Sequence, residues 1–500
     1  MQSENIKPGS PNENEIIENK ELSIGEALFP VLILVAMLAY NIYIFGDSSL
    51  GGSNQFILLL GAAIAAIVGF KNKVKFAQML EEVSHNVKST SGAILILLMV
   101  GALAGTWLLS GIIPTMIYYG LQILSPSIFL AASLIICSII SLATGSSWST
   151  SATVGIALIG IGNTMGINPG MTAGAVISGA YFGDKISPLS DTTNLASAMA
   201  GADLFDHIKY MLITTVPSML FALVIFIIIG LNLSASGTPD ISDKLSAIDA
   251  SFNISPWLFL VPATVILLIV KKTEPLIALL AGALMGGIAA IIAQPDIVIK
   301  VAGGTTLDFN TAYKGVMTAL TTKTSIETSN PELNDLFAGK GMEGMLGTIW
   351  LILCAMVFGG VMDAIGALAR ISQALLNMFD SIFGLFASTV FSCLAINVTA
   401  SDQYLALVIP GKMYKKAFTD KGLHPVNLSR TLEDTGTVTS VLIPWNTCGA
   451  YNAGVLGVPT VDYFIYAIFN WISPFTTLLV AAFKYKIKEI VPTKQASPLM

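Results

Sequence analysis

Seven ionisable side chains lie in stretches too apolar to solvate them: Asp184, Asp191, Asp363, Asp402, Arg430, Glu433 and Asp434. Charge at membrane depth is expensive, so such residues default to a functional reading. A buried carboxylate is driven toward its neutral form by desolvation and toward its ionised form by a nearby cation. It can hold a proton or a metal ion, but poorly both, and that competition is the simplest physical basis for exchange. The acids stand among polar runs: Thr144-Gly145-Ser146-Ser147-Trp148, Gly183-Asp184-Lys185-Ile186-Ser187-Pro188-Leu189-Ser190-Asp191-Thr192-Thr193-Asn194, Asn397-Val398-Thr399-Ala400-Ser401-Asp402-Gln403-Tyr404, Ser429-Arg430-Thr431-Leu432-Glu433-Asp434-Thr435-Gly436-Thr437 and Pro444-Trp445-Asn446-Thr447-Cys448. Gly145, Pro188, Gly436 and Pro444 would break helices there. Unwound backbone is tolerated in a membrane only where it is buried in protein or lines a cavity, and its free carbonyls and hydroxyls are hard oxygen ligands for a small cation. Plainer readings stand beside this one. Asp184 with Lys185, and Arg430 with Glu433 three residues on, could be local structural pairs. Asp363 could end near the cytoplasmic surface, and the hydroxyls could simply join helices.

The surrounding chain is built for lipid. Of 500 residues 54% are hydrophobic and 11% charged, and mean hydropathy is +0.75. A soluble protein carries about 25% charge, so a soluble enzyme and a disordered chain are excluded. With 25 basic and 31 acidic residues the net charge is −6, which gives no basis for nucleic-acid binding. Cys137, Cys354, Cys393 and Cys448 have no paired spacing and read as small buried hydrophobes, and three histidines do not make a metal centre.

A spanning helix needs about 20 apolar residues. Spans are expected near 27–46, 53–70, 91–111, 126–143, 209–231, 255–270, 274–293, 344–366, 382–398 and 460–483, with about two further crossings, broken or re-entrant, in each of 145–200 and 400–455. The fold class is an all-α polytopic membrane protein of about 12–14 membrane segments. Lysines mark cytoplasmic loops: Lys71, Lys73, Lys75 and Lys88; Lys271 and Lys272; Lys412, Lys415, Lys416 and Lys421; Lys484, Lys486 and Lys488. Both termini then fall in the cytoplasm.

A 255-residue shift aligns Ile94 with Ile349, Gly105 with Gly360, Gly111 with Gly366, Thr144 with Thr399, Ser146 with Ser401 and Asp191-Thr192 with Asn446-Thr447. One copy starts inside and the other outside, so the expected repeat is inverted. Inverted repeats with interrupted helices at matching positions are a mark of secondary transporters. The expected organisation is a disordered cytoplasmic tail over 1–24, a first repeat over 25–232, an external linker over 233–254, a second repeat over 255–485 with an external insertion at 303–342, and a cytoplasmic tail over 486–500.

The run from Gly179 to Ala196, GAYFGDKISPLSDTTNLA, strongly resembles the signature of the NhaC family of sodium/proton antiporters. Thr144–Trp148, Thr399–Tyr404 and Glu433–Thr437 also resemble that family's blocks, and the likeness spans roughly residues 25–485. The resemblance implies a multi-pass antiporter of the bacterial plasma membrane that exchanges sodium for protons. It brings in relatives that exchange malate for lactate, and more distantly the ion-transporter superfamily, whose hairpin tips hold sodium.

On that footing Asp184, Asp191, Asp402, Glu433, Asp434 and Arg430 are the candidates for proton coupling. Ser146, Ser187, Asp191, Thr192, Asn194, Thr399, Ser401, Asn446 and Thr447 are the candidate sodium ligands. No cofactor is expected; sodium and the proton are cargo. The partners expected are the bilayer, small carboxylates under an organic-acid alternative served by Arg430 or Lys185, and a second copy as a homodimer. A channel would need a continuous pore, and a membrane-embedded enzyme a catalytic set that does not stand out.

Overall fold

Apolar runs of this length satisfy their backbone polar groups in lipid only by closing into helices, and helix dominates the structure. The computed structural model describes residues 17–19, 22–45, 51–235, 242–334, 337–378 and 381–490. Most of the tail expected over 1–24, and the residues beyond 490, lie outside these. Proline opens several helices at a position where its missing N–H is no loss, as at Pro126, Pro169, Pro275 and Pro425.

Among the described residues eight helices are long and apolar enough to cross a membrane: Ile24–Phe45, Ser53–Lys71, Phe76–Leu109, Pro126–Thr144, Leu204–Leu233, Pro275–Ala293, Glu343–Ala364 and Ile382–Thr399. A ninth span is available if Ser242–Ser251 and Pro256–Val270, bent by 84° from one another, count together. The remaining apolar sequence is interrupted. Lys88 does not sit in a loop, because the helix expected from residue 91 already begins at Phe76. Its 34 residues make it about 50 Å long, which carries its lysine-bearing end well beyond a hydrocarbon layer about 30 Å thick.

The helices form two groups. One gathers Ile24–Phe45, Ser53–Lys71, Phe76–Leu109, Pro275–Ala293 and Leu346–Ala364 around the long helix. The other holds Pro126–Thr144 against Pro169–Lys185, with Leu204–Ala235, Ile382–Thr399, Gln403–Asp420 and Ile468–Ala482. The segment expected as an insertion at 303–342 is partly built into the first group. Its helix Phe309–Thr321 lies on the long helix, where Gly105 meets the Ala319 backbone and Gly101 meets Gly341 with no room for a side chain. A two-residue antiparallel pairing, Thr324–Ser325 with Ala338–Gly339, closes that segment. The four cysteines are free and buried.

Elements of the same kind recur along the chain. The long helices ending at Leu109 and Ala364 are followed by Gly111 and Gly366, both at φ 77°, each opening a short helix. Pro126–Thr144 and Ile382–Thr399 end 255 residues apart. Beyond that point the spacing is 256: Ser146 and Asp402 cap the next helices, Ser190 and Asn446 cap ten-residue helices, and left-handed Gly201 and Gly457 end them. The extra residue sits where the chain turns. Left-handed Gly145 (φ 69°) and Ser401 (φ 61°) occupy like positions, with Ala400 added before the second. The pairing of Asp191 with Asn446 is therefore corrected: Asn446 corresponds to Ser190, Asp191 to Thr447, and Asp402 to Ser146.

Candidate functional site

Four interruptions build the site. At the first tip, Pro126–Thr144 stops at Gly145, whose positive φ lets the chain reverse, and the Ser146 hydroxyl caps the return by accepting from the Ser149 N–H at 3.2 Å. The returning segment 147–164 contains a π-turn, Ser151–Gly155. At the first break, Pro169–Lys185 ends and Ser190 caps Asp191–Ala200. At the second tip, Asp402 accepts from the N–H groups of Tyr404 and Leu405 at 2.8 and 3.0 Å. At the second break, a helix carrying the π-turn Glu433–Thr437 gives way to residues 441–445, and Asn446 caps Thr447–Leu456. π-turns interrupt the regular ladder and are frequent at functional sites.

Each tip is tied to its own break. Ser147 donates through both its N–H (3.0 Å) and its hydroxyl (2.7 Å) to Asp184 Oδ2, and the Ser187 hydroxyl donates to the Leu142 carbonyl at 2.9 Å. In the other half Thr447 N–H donates to the Ser401 carbonyl at 2.9 Å, and Asn446 Nδ2 to the Asn397 carbonyl at 3.1 Å. The halves are then joined to each other. The Tyr404 hydroxyl donates to Asp191 Oδ2 at 2.5 Å. Ser151 donates to Asn452 at 2.8 Å, Thr192 to Glu433 Oε1 at 3.0 Å, and Tyr451 to the Trp148 carbonyl at 3.1 Å, with the Trp148 and Tyr451 rings stacked 4.1 Å apart.

Where the tips and breaks converge there is a cavity of about 690 Å³. Asp184, Asp191, Asp402, Trp148, Tyr404 and Thr447 line it on this side, and it extends to Lys272, Thr273 and Glu274 in a loop of the other helix group. Four carboxylate residues line it against one lysine, so its field favours cations.

Five of the sequence candidates meet at this cavity: Ser146, Asp184, Asp191, Asp402 and Thr447. Asp191 faces it with both oxygens engaged, since Oδ1 also accepts from the Thr192 N–H at 2.9 Å. Asp184 is 5% exposed, and its Oδ1 has no hydrogen-bond partner. Ser187, Thr192, Thr399, Ser401 and Asn446 are buried outside the cavity lining. Thr399 bonds back to the Ala395 carbonyl at 2.8 Å. Asn194 is exposed and donates to the Pro188 and Ser190 carbonyls at 3.1 and 2.6 Å, which places it as a brace for the break.

The local pairs are corrected. Lys185 does not pair with Asp184; it crosses to Asp434, which also accepts from Thr477. Arg430 reaches toward Asp434, Nε to Oδ2 3.9 Å, and not toward Glu433, while its guanidinium lies 4.5 Å from the Tyr210 ring centre. Consecutive helix residues point about 100° apart, so Asp184 can face the cavity while Lys185 faces the protein interior. Neither Lys185 nor Arg430 lines the cavity.

Tyr404, Ser147 and Asn397 carry much of this geometry; all three lie in the polar runs, where residue type alone does not set them apart. Asn446→Ala is expected to remove a helix cap and the amide bonds to Asn397. Loss of the cap lowers stability by about 1 kcal/mol, a fall that thermal unfolding of the purified protein would register.

The profile described as the Na+/H+ antiporter family matches residues 179–485. The Na(+)/H(+) antiporter NhaC of Alkalihalophilus pseudofirmus is 36% identical, aligned over 92% of this chain and 96% of its own. The chain belongs to the Na+/H+ antiporter family. Two further relatives show how this family member's kin are named: a malate-2H(+)/Na(+)-lactate antiporter of Bacillus subtilis, 35% identical over 93% of this chain and 96% of its own, and the arginine/ornithine antiporter ArcD of Halobacterium salinarum, 31% identical over 94% and 93%.

Proposed function

We propose that this family member exchanges sodium for protons across the bacterial plasma membrane by alternating access. The observation that carries the reading is the acidic cavity at the meeting of two tips and two breaks, with one Asp184 oxygen left without a partner. The recurrence of matched elements supports two inverted repeats that exchange roles between two conformations. The cavity reaches Lys272, which shares its loop with Lys271. By the lysine rule that side is cytoplasmic, so this is the inward-facing state with both termini inside.

In the cycle, sodium enters from the cytoplasm onto ionised carboxylates, the site reorients, and protonation from outside releases it. The organic-acid alternative is the weaker one, because the two cations expected to hold a carboxylate lie outside a cavity that is itself acidic. Sodium-driven proton flux in proteoliposomes, with and without malate and lactate, tests the choice: the reading requires flux with sodium alone.

The pH dependence follows from sodium binding only the ionised carboxylate. Lowering the pH loads protons and removes the sodium site; raising it restores the site. Apparent sodium affinity is expected to rise with pH across about pH 6 to about pH 9 until the coupling acid is fully ionised. An affinity flat across that range would count against shared occupancy.

A further inference from the structure

Five charged residues are buried at the cavity wall, Asp184 on the wall itself and the other four behind it. Asp184 is 5% exposed, and Lys185, Arg430, Glu433 and Asp434 are 0%. Lys185 and Asp434 are well bonded, while the Arg430 guanidinium nitrogens have no hydrogen-bond partner and lie over the Tyr210 ring. Asp434 takes Lys185 and Thr477, with Arg430 alongside. Asp184 Oδ2 takes two bonds from Ser147, and Glu433 Oε1 takes one from Thr192. Among the described residues, Asp184 Oδ1, Glu433 Oε2 and Thr437 Oγ1 are buried without a hydrogen-bond partner, as is Thr435 Oγ1 in the same π-turn. The first three belong together. Asp184 and Glu433 are electrostatic neighbours, and Thr437 stands beside Glu433, four residues on, in the same π-turn.

The charges do not balance. With these groups ionised, three carboxylates face two cations, which leaves one net negative charge without solvent. Buried charge of that kind is strongly unfavourable unless a counter-charge joins it. A single positive charge closes the balance; a divalent ion would overshoot it. The unused oxygens are hard ligands, suited to an alkali cation, and none is a nitrogen or sulfur that would select a transition metal.

We propose that Asp184 Oδ1, Glu433 Oε2 and Thr437 Oγ1 form a dehydrated monovalent-cation site at the cavity wall, with Thr192 holding Glu433 in place. The inference rests on the sodium/proton reading and deepens it. Sodium passes beyond the exposed carboxylate Asp191 and comes to rest between the first tip and the second π-turn, so both halves of the chain hold it. Glu433 thereby becomes an ion ligand, and Thr437 joins the site.

The test is sodium-dependent thermal stabilisation of the purified full-length protein in a choline background. Wild type is expected to gain stability with sodium. Glu433→Gln and Thr437→Val are expected to raise the half-maximal sodium concentration by about tenfold or more, because each removes an oxygen from a small, dry shell. Thr437→Ser, which keeps the hydroxyl, is expected to return it to within about twofold of wild type. Thr106→Val, a buried threonine of the other helix group whose hydroxyl bonds its own helix, is expected to leave it unchanged. Should Glu433→Gln fail to fold, the Thr437→Val and Thr437→Ser comparison decides. Wild-type sodium response in both Glu433→Gln and Thr437→Val overturns the site and leaves the sodium/proton reading standing. No sodium response in wild type overturns that reading along with the site.

Discussion

Asp184→Asn protein is expected to fold and insert like wild type and to show no sodium-driven proton flux above background in proteoliposomes. Asparagine keeps the shape of the side chain, and its amide oxygen can still accept from the Ser147 N–H and hydroxyl that tie the first tip to the helix Pro169–Lys185. It cannot take a proton and release it, nor offer an anionic oxygen to a cation. Among the candidates Asp184 combines a place on the cavity with a buried oxygen that has no hydrogen-bond partner. A purified Asp184→Asn protein with full flux would move the coupling role to Asp191 or Asp402. A protein that failed to insert would instead indicate a structural role.

The largest stability effect is expected at Lys185. Lys185→Met removes the ammonium from a fully buried pair and leaves Asp434 with Thr477, Ser473 and a guanidinium nitrogen 3.9 Å away. Breaking a buried ion pair from one side typically lowers stability by about 3–5 kcal/mol, because the surviving charge stays buried. Replacing both members, Lys185→Met with Asp434→Leu, removes that stranded carboxylate but leaves Arg430 without its carboxylate neighbour, so part of the loss is expected to be recovered. Melting of the single and double variants in detergent, read as a double-mutant cycle, measures the coupling. A Lys185→Met protein that melts with wild type would show that Asp434 carries no charge to strand.

The interruptions that build the site were legible because Ser, Thr, Asn and Asp stand out against apolar sequence, and Gly145, Pro188 and Pro444 mark where a helix cannot continue. The acidic residues were legible for the same reason. Partner choice was not. Asp184-Lys185 and Arg430…Glu433 read locally as pairs, yet Lys185 meets Asp434 across 249 residues, since adjacent side chains leave a helix in different directions. The one-residue slip at Ala400 was invisible to a single fixed shift, because residue matches on either side of it still look acceptable. Only caps and left-handed turns, which are conformational, locate it. Thr437 is one threonine in a Thr-rich run and carries no sequence signal; its unpartnered buried hydroxyl appears only in the folded structure.

Exchange of sodium for protons at this cavity couples the two fluxes in the purified protein. The most direct measurement uses sodium-free proteoliposomes containing the full-length chain and a lumenal pH dye, with sodium chloride added outside. Sodium entry should drive protons out, so the lumen is expected to turn alkaline. The change should be absent with choline chloride, absent in Asp184→Asn, and independent of malate or lactate. A lumen whose pH does not respond to sodium, or responds only when an organic acid is present, would rule out direct sodium/proton exchange.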